Sequence, residues 1–150
     1  MNLTQSQPVS ILMDGMLSSL DHVVPVPYEK GSPQSLENYL NLQFGVLIGL
    51  TGDLKGKIIY KGDQELFGSL GEAMYGMPME GEMLKSFAGE LGNMISGGLC
   101  ANVFQQGISL DITSPTIMEG DSKISGFKKG IQFVVTFKEK GNLIIYFLLD

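Results

Sequence analysis

The chain has 150 residues, 43% of them hydrophobic and 17% charged, which suits one folded domain with its own core and excludes a disordered chain. Its net charge is −6, and the lack of a basic cluster beyond Lys128-Lys129 argues against nucleic acid as a partner. The apolar stretches are broken well short of the ~20 residues of a membrane span, the polar residues 1–8 do not resemble a signal peptide, and Cys100 is the sole cysteine, so the expectation is a cytoplasmic protein without membrane contact or internal disulfide.

Residues 9–24 carry Ile11, Leu12, Met16, Leu17, Leu20, Val23 and Val24 at mixed spacings of three and four, which predicts an amphipathic helix. Three prolines in residues 25–33 predict an extended connection. In residues 40–50 every second side chain is apolar, from Leu40 through Phe44 and Ile48 to Leu50, the pattern of a strand. Turn residues 51–56 lead into a returning strand at 57–60. A helix over residues 62–75 is closed by Gly76 and Pro78, and a longer one follows over residues 82–104. Ile108, Leu110 and Ile112 suggest a short strand ending before Pro115. Residues 131–137 and 143–149 form a hairpin around Glu139-Lys140-Gly141-Asn142. The fold class is therefore α+β, an antiparallel or mixed sheet covered by helices, with residues 1–150 as a single domain.

Several chemistries fail on composition. His22 is the sole histidine, so neither a histidine-based zinc site nor a Ser-His-Asp triad can be assembled. Cys100 lies in an apolar helical segment and reads as an inert buried thiol. Gly45 and Gly49 lie within a strand pattern and form no phosphate-binding loop. Glu80 and Glu82 read as helix-start acids.

The helix over residues 82–104 is unusual. At 100° per residue, Leu84, Phe87, Ala88, Leu91, Met94 and Ile95 form a core face. Ser86, Glu90, Asn93 and Gly97 form a separate stripe, and Gly89, Gly92 and Ser96 occupy a third side. Each interior glycine costs about 1 kcal/mol relative to alanine, so close packing or an open docking surface must justify them. On the docking reading, Ser86, Gly89 and Gly97 are the partner-binding positions. A carboxamide can donate to and accept from an attacking water, and a carboxylate can pair with a partner's cation. Phosphoryl transfer needs little beyond positioned water once a metal and a cation neutralise the phosphoryl oxygens. A Glu and an Asn one turn apart could thus complete a site whose metal and phosphate belong to another protein. A second E-x-x-N, Glu139 to Asn142, falls in the hairpin turn and carries no weight.

Residues 86–97, SFAGELGNMISG, resemble the signature helix of the CheC/CheX/FliY family of response-regulator phosphatases. Ser86, Glu90, Asn93 and Pro115 fit the family pattern, and residues 45–56 (GVLIGLTGDLKG) and 110–116 (LDITSPT) are similar to its CheX branch. CheC-like members usually carry the motif on two helices, whereas the first helix here has Asp14 and Asp21 but no E-x-x-N, as in CheX. The resemblance implies hydrolysis of the aspartyl phosphate of a CheY-like receiver. It casts Asn93 as the residue that positions water and Glu90 as the partner of the receiver's active-site lysine. It further implies Mg²⁺ held by the receiver, no cofactor or metal ligand in this chain, and a homodimer joined through the sheets. Two alternatives stand beside it: a non-catalytic adaptor binding a receiver or flagellar-switch protein through the same helix, and a structural domain whose glycines serve packing alone.

Overall fold

The structure, a computed structural model, describes residues 7–150. Its elements in chain order are α1 (Gln7–Val23), β1 (Tyr28–Lys30), β2 (Gln34–Leu36), β3 (Tyr39–Gly52), β4 (Gly56–Lys61) and α2 (Gln64–Tyr75). There follow α3 (Gly81–Phe104), β5 (Leu110–Ile112), β6 (Thr116–Ser125), β7 (Lys129–Phe137) and β8 (Gly141–Leu149). The strands form one antiparallel sheet in the order β1-β7-β8-β4-β3-β5, with β2 added to β7 and β6 to β3. This is the expected α+β architecture, and each helix and strand expected from the sequence is present. Short strands β1 and β2, within and just after the proline-containing connection, and the ten-residue β6 are additions.

Alternation in β3 holds along its length: Leu40, Leu42, Phe44, Val46, Ile48 and Leu50 are all buried. The expectation of one continuous buried face is nevertheless too simple. Phe44 to Leu50 join the main core under the helices, whereas Leu40 and Leu42 join Ile59, Tyr146 and Leu148 in a second cluster. A register irregularity against β6 falls between Leu42 and Phe44, and bulges of this kind bend and twist a strand. Gly45 sits at the bend, where a Cβ would lie 2.7 Å from both the Tyr60 carbonyl oxygen and Leu42 Cδ1. One alternating strand thereby serves two clusters.

Helix α2 begins where Asp63 accepts a hydrogen bond from the Leu66 amide (2.7 Å) and ends at left-handed Gly76 (φ 77°), so the cap places its start after Gly62. Helices α1 and α3 pack through small residues. A Cβ on Gly98 would land on the Ser19 hydroxyl, and one on Gly15 would lie 3.0 Å from Val103. Across this contact Ser19 Oγ donates to the Ile95 carbonyl (2.7 Å) and Asn102 Nδ2 to the Gly15 carbonyl (2.9 Å). Against the sheet, Gly92 faces Val46, Tyr60 and Ile48, with 3.1 to 3.4 Å available to a Cβ. Gly97, one residue from Gly98, has nothing within 4 Å of a Cβ.

These neighbours should respond oppositely to the same substitution. Gly97→Ala gains helix propensity and should raise unfolding free energy by up to about 1 kcal/mol. Gly98→Ala must displace Ser19 and should lower it by about 1–3 kcal/mol. Urea denaturation of both variants measures the pair.

Candidate functional site

Three contacts set the rotation of α3 about its axis. Gly92 and Ser96 face the sheet, Gly98 faces α1, and the Phe87 ring meets the edge of Tyr75 from α2 at 5.9 Å. The buried Ser96 hydroxyl shares a 2.7 Å hydrogen bond with the buried Tyr60 hydroxyl, which also lies 3.9 Å from Met16 Sδ. The opposite side of α3 is left facing outward. Ser86, Glu90 and Gly97 are exposed there and Asn93 is half-buried, so the predicted stripe lies on the surface.

Glu90 and Asn93 are neighbours one turn apart, with Cβ atoms roughly 5–6 Å from each other by helical geometry. Among the described residues, neither side chain is held by a hydrogen bond or ion pair. The nearby charges are already engaged: Lys85 Nζ lies 3.2 Å from Glu119 and 3.3 Å from Glu82, and both carboxylates raise its pKa. Glu82 thus serves a surface ion pair at the helix start. The Glu139 copy of the spacing lies in the β7–β8 turn, with φ 64° at Glu139.

One predicted site residue moves. Gly89 is buried, and a Cβ there would sit 3.4 Å from Ile117 and 3.6 Å from Pro115. It is a packing glycine that lets the β5–β6 connection lie against α3, and it offers no surface to a partner. Of the two explanations for the glycines, close packing holds for Gly89, Gly92 and Gly98, and an open surface holds for Gly97. Cys100 is half-buried rather than fully buried. Burial and the charge of Asp111 raise its thiol pKa, which opposes thiolate formation.

The other stretches that carried the resemblance come together beside this helix. Gly49 N donates to Thr113 Oγ1 (2.8 Å), and its carbonyl accepts from the Thr113 amide (3.0 Å). Asp53 accepts from the Ser109 amide (2.8 Å). Pro115 follows directly and covers Gly89. Helical spacing grouped Ser96 with Gly89 and Gly92 on a third side without saying whether it packs, and the structure buries all three. Tyr60, the partner of Ser96, lay in an ordinary strand. Its signal was weak: one hydroxyl in an otherwise aliphatic run.

Among the described residues, no group of three or more His, Cys, Asp or Glu side chains is gathered closely enough to hold a metal ion. An open concavity of about 1240 Å³ is lined by Asn41, Lys61, Asp63, Glu119 and Lys123, and neither Glu90 nor Asn93 lines it. The Glu–Asn pair stands on the outward side of a helix, with Glu90 exposed and Asn93 half-buried. Such a surface cannot enclose a small substrate, but it can enter another protein's cleft.

Residues 44–138 match the family described as chemotaxis phosphatase CheX, well over half of the chain. The chain belongs to the CheX family. A relative from Thermotoga maritima, CheY-P phosphatase CheX, is 31% identical over 125 residues, covering 79% of this chain and 80% of that one. Among solved structures, CheX from Desulfovibrio desulfuricans superposes with a TM-score of 0.81 at 20% identity, covering 97% of this chain and 100% of that one. A CheX from Borrelia burgdorferi, solved as a CheX-CheY-BeF3-Mg²⁺ complex, gives 0.74 at 21% identity, covering 94% and 96%. These structural likenesses establish a shared CheX fold. No helix of this CheX-family chain is long and apolar enough among the described residues to cross a membrane.

The burial of Tyr60 makes a measurable pH signature. Burial holds the Tyr60 hydroxyl well above its ordinary 10.0. The stability that the neutral phenol contributes is therefore complete below pH 10 and is lost as pH rises beyond it. Tyr60→Phe should cost about 1 kcal/mol at neutral pH and flatten part of the alkaline decline, as followed by denaturant titration at several pH values.

Proposed function

We propose that this CheX-family chain dephosphorylates a CheY-like receiver domain, with Glu90 and Asn93 supplying the half of the active site that the receiver lacks. One observation carries the proposal: the two side chains stand together on the outward stripe of α3 without an internal hydrogen bond or ion pair. Family membership and the CheY-P phosphatase from Thermotoga maritima support it.

In this mechanism α3 enters the receiver's phosphorylation cleft. Glu90 pairs with the receiver's active-site lysine and sets the docking angle. The Asn93 carboxamide accepts from and donates to a water placed in line with the phosphorus–aspartate bond. The water oxygen bonds to phosphorus, the bond to the aspartate oxygen breaks, and inorganic phosphate and a free carboxylate remain. Mg²⁺ is assigned to the receiver, where it neutralises the phosphoryl oxygens, and the Borrelia burgdorferi complex of CheX with CheY, BeF3 and Mg²⁺ supports that assignment. Glu90 and Asn93 are the catalytic pair, and Ser86 and Gly97 remain as partner-facing positions around them. A single domain, a homodimer and a cytoplasmic location complete the proposal. Sedimentation tests the dimer, and a monomer across micromolar concentrations would count against it.

The decay of receiver acyl phosphate, followed in single-turnover reactions, tests the chemistry. Wild type should accelerate decay. Asn93→Ala should lose at least about a hundredfold of that acceleration while keeping its fold, and Glu90→Ala should lose acceleration chiefly through weaker docking. Binding of the phosphorylated receiver without acceleration would instead identify an adaptor.

A further inference from the structure

Among the described residues, five large apolar side chains are exposed: Tyr39, Tyr75, Met77, Met83 and Phe104. Scattered exposed apolar residues are ordinary and need no explanation. These are not scattered. Tyr39 is the outlier, and Lys123 Nζ lies 4.4 Å from its ring centre. Tyr75 rests against Phe87 of α3, and Met77 follows α2 directly. Met83 and Phe104 lie on α3 itself, 52% and 68% exposed, so each leaves half or more of its surface to water.

Their positions within α3 are more telling than their exposure. Met83, Ser86, Glu90, Asn93, Gly97 and Phe104 succeed one another at intervals of three, four, three, four and seven. At 100° per residue all six fall within one third of the helix circumference. The stripe that carries Glu90 and Asn93 is thus closed at each end by a large unburied apolar side chain. Met83 precedes Glu90 by two turns, and Phe104 follows Asn93 by three.

From Met83 to Phe104 is roughly 31 Å of helix, about the diameter of one small domain. Met83 lies about 13 Å of helix from the middle of the Glu–Asn pair and Phe104 about 19 Å, so a receiver that covers the pair and is offset toward Phe104 spans both ends. Between them the charge is negative, because Glu90 is free and Lys85 is engaged between Glu82 and Glu119. That charge complements the lysine and metal ion that the proposed function assigns to the receiver. A polar centre committed to chemistry supplies little apolar area, and Met and aromatic side chains are the types enriched in protein interfaces.

We propose that Met83 and Phe104 are the two apolar anchors that seat the receiver along α3, one on each side of Glu90 and Asn93. The inference rests on the phosphatase reading above and adds to it the residues that determine receiver affinity. Neither anchor reaches the reacting atoms. Their contribution is the same in the ground and transition states, so removing one raises KM and leaves kcat alone.

Steady-state dephosphorylation of the host organism's CheY receivers tests this with Phe104→Gln, Met83→Gln and the off-stripe control Tyr39→Gln. Both positions are exposed, so unchanged thermal unfolding is expected. Phe104→Gln should raise KM about tenfold and Met83→Gln severalfold, with kcat within about twofold of wild type. Tyr39→Gln should change neither constant. If both anchor variants keep the wild-type KM while Asn93→Ala abolishes acceleration, the anchors are refuted and the phosphatase reading stands. A fall in kcat at constant KM, or an equal KM rise in Tyr39→Gln, also overturns the proposal. Should wild type accelerate nothing, titration with receivers activated by Mg²⁺ and fluoroberyllate decides. Weaker binding by both anchor variants keeps the anchors on an adaptor, and no binding by wild type removes both readings.

Discussion

Everything at the Glu90–Asn93 surface depends on how closely α3 approaches the rest of the fold. Gly92 lets the helix settle against Val46, Ile48 and Tyr60, Gly98 lets α1 in as far as Ser19, and Gly89 admits Pro115 and Ile117. A helix with larger side chains at these positions would stand off and could turn about its axis. The Tyr60–Ser96 hydrogen bond, made inside the core where an unmet hydroxyl is costly, selects one rotation. Each glycine costs about 1 kcal/mol of helix propensity, and the close contacts that it permits offset that cost.

This constraint explains why a helix with so much packed surface still has a bare stripe. α1 and α2 cover two sides and the sheet with the β5–β6 connection covers a third, which leaves Ser86, Glu90, Asn93 and Gly97 facing outward. The pair can remain without internal partners because side chains on the outward stripe are open to water. The same arrangement ties chemistry to stability. A substitution that loosens α3 displaces Glu90 and Asn93 without touching them, and under the proposed function such misplacement is costly to phosphoryl transfer.

Much of this was legible in the residues alone. The period of α1, the alternation of β3 and the C-terminal hairpin gave their elements directly, and helical spacing separated the Ser86–Glu90–Asn93–Gly97 stripe from the core face. Other parts left little trace. β6 has a sequence broken by Gly120, Asp121 and Ser122 and a mostly exposed burial pattern, so no apolar alternation announces this strand, which pairs with β3. β1 and β2 are three residues each, stabilised by β7 from far along the chain. The two roles of the glycines could not be separated either. Helical spacing put Gly89 and Gly97 on different sides of α3, but Pro115 and Ile117, which close over Gly89, arrive some two dozen residues later. The division of β3 between two clusters likewise arises from its irregular pairing with β6, a long-range property that local periodicity does not carry.

The central claim is that α3 is half of an active site completed by a phosphorylated receiver. A crystal structure of the chain bound to a CheY receiver activated with Mg²⁺ and fluoroberyllate tests it most directly. The account predicts α3 in the receiver's cleft, the Glu90 carboxylate on its lysine, and the Asn93 carboxamide about 3 Å from a water in line with the beryllium–aspartate bond. A receiver seated elsewhere on the chain, with Glu90 and Asn93 still facing solvent, would contradict it.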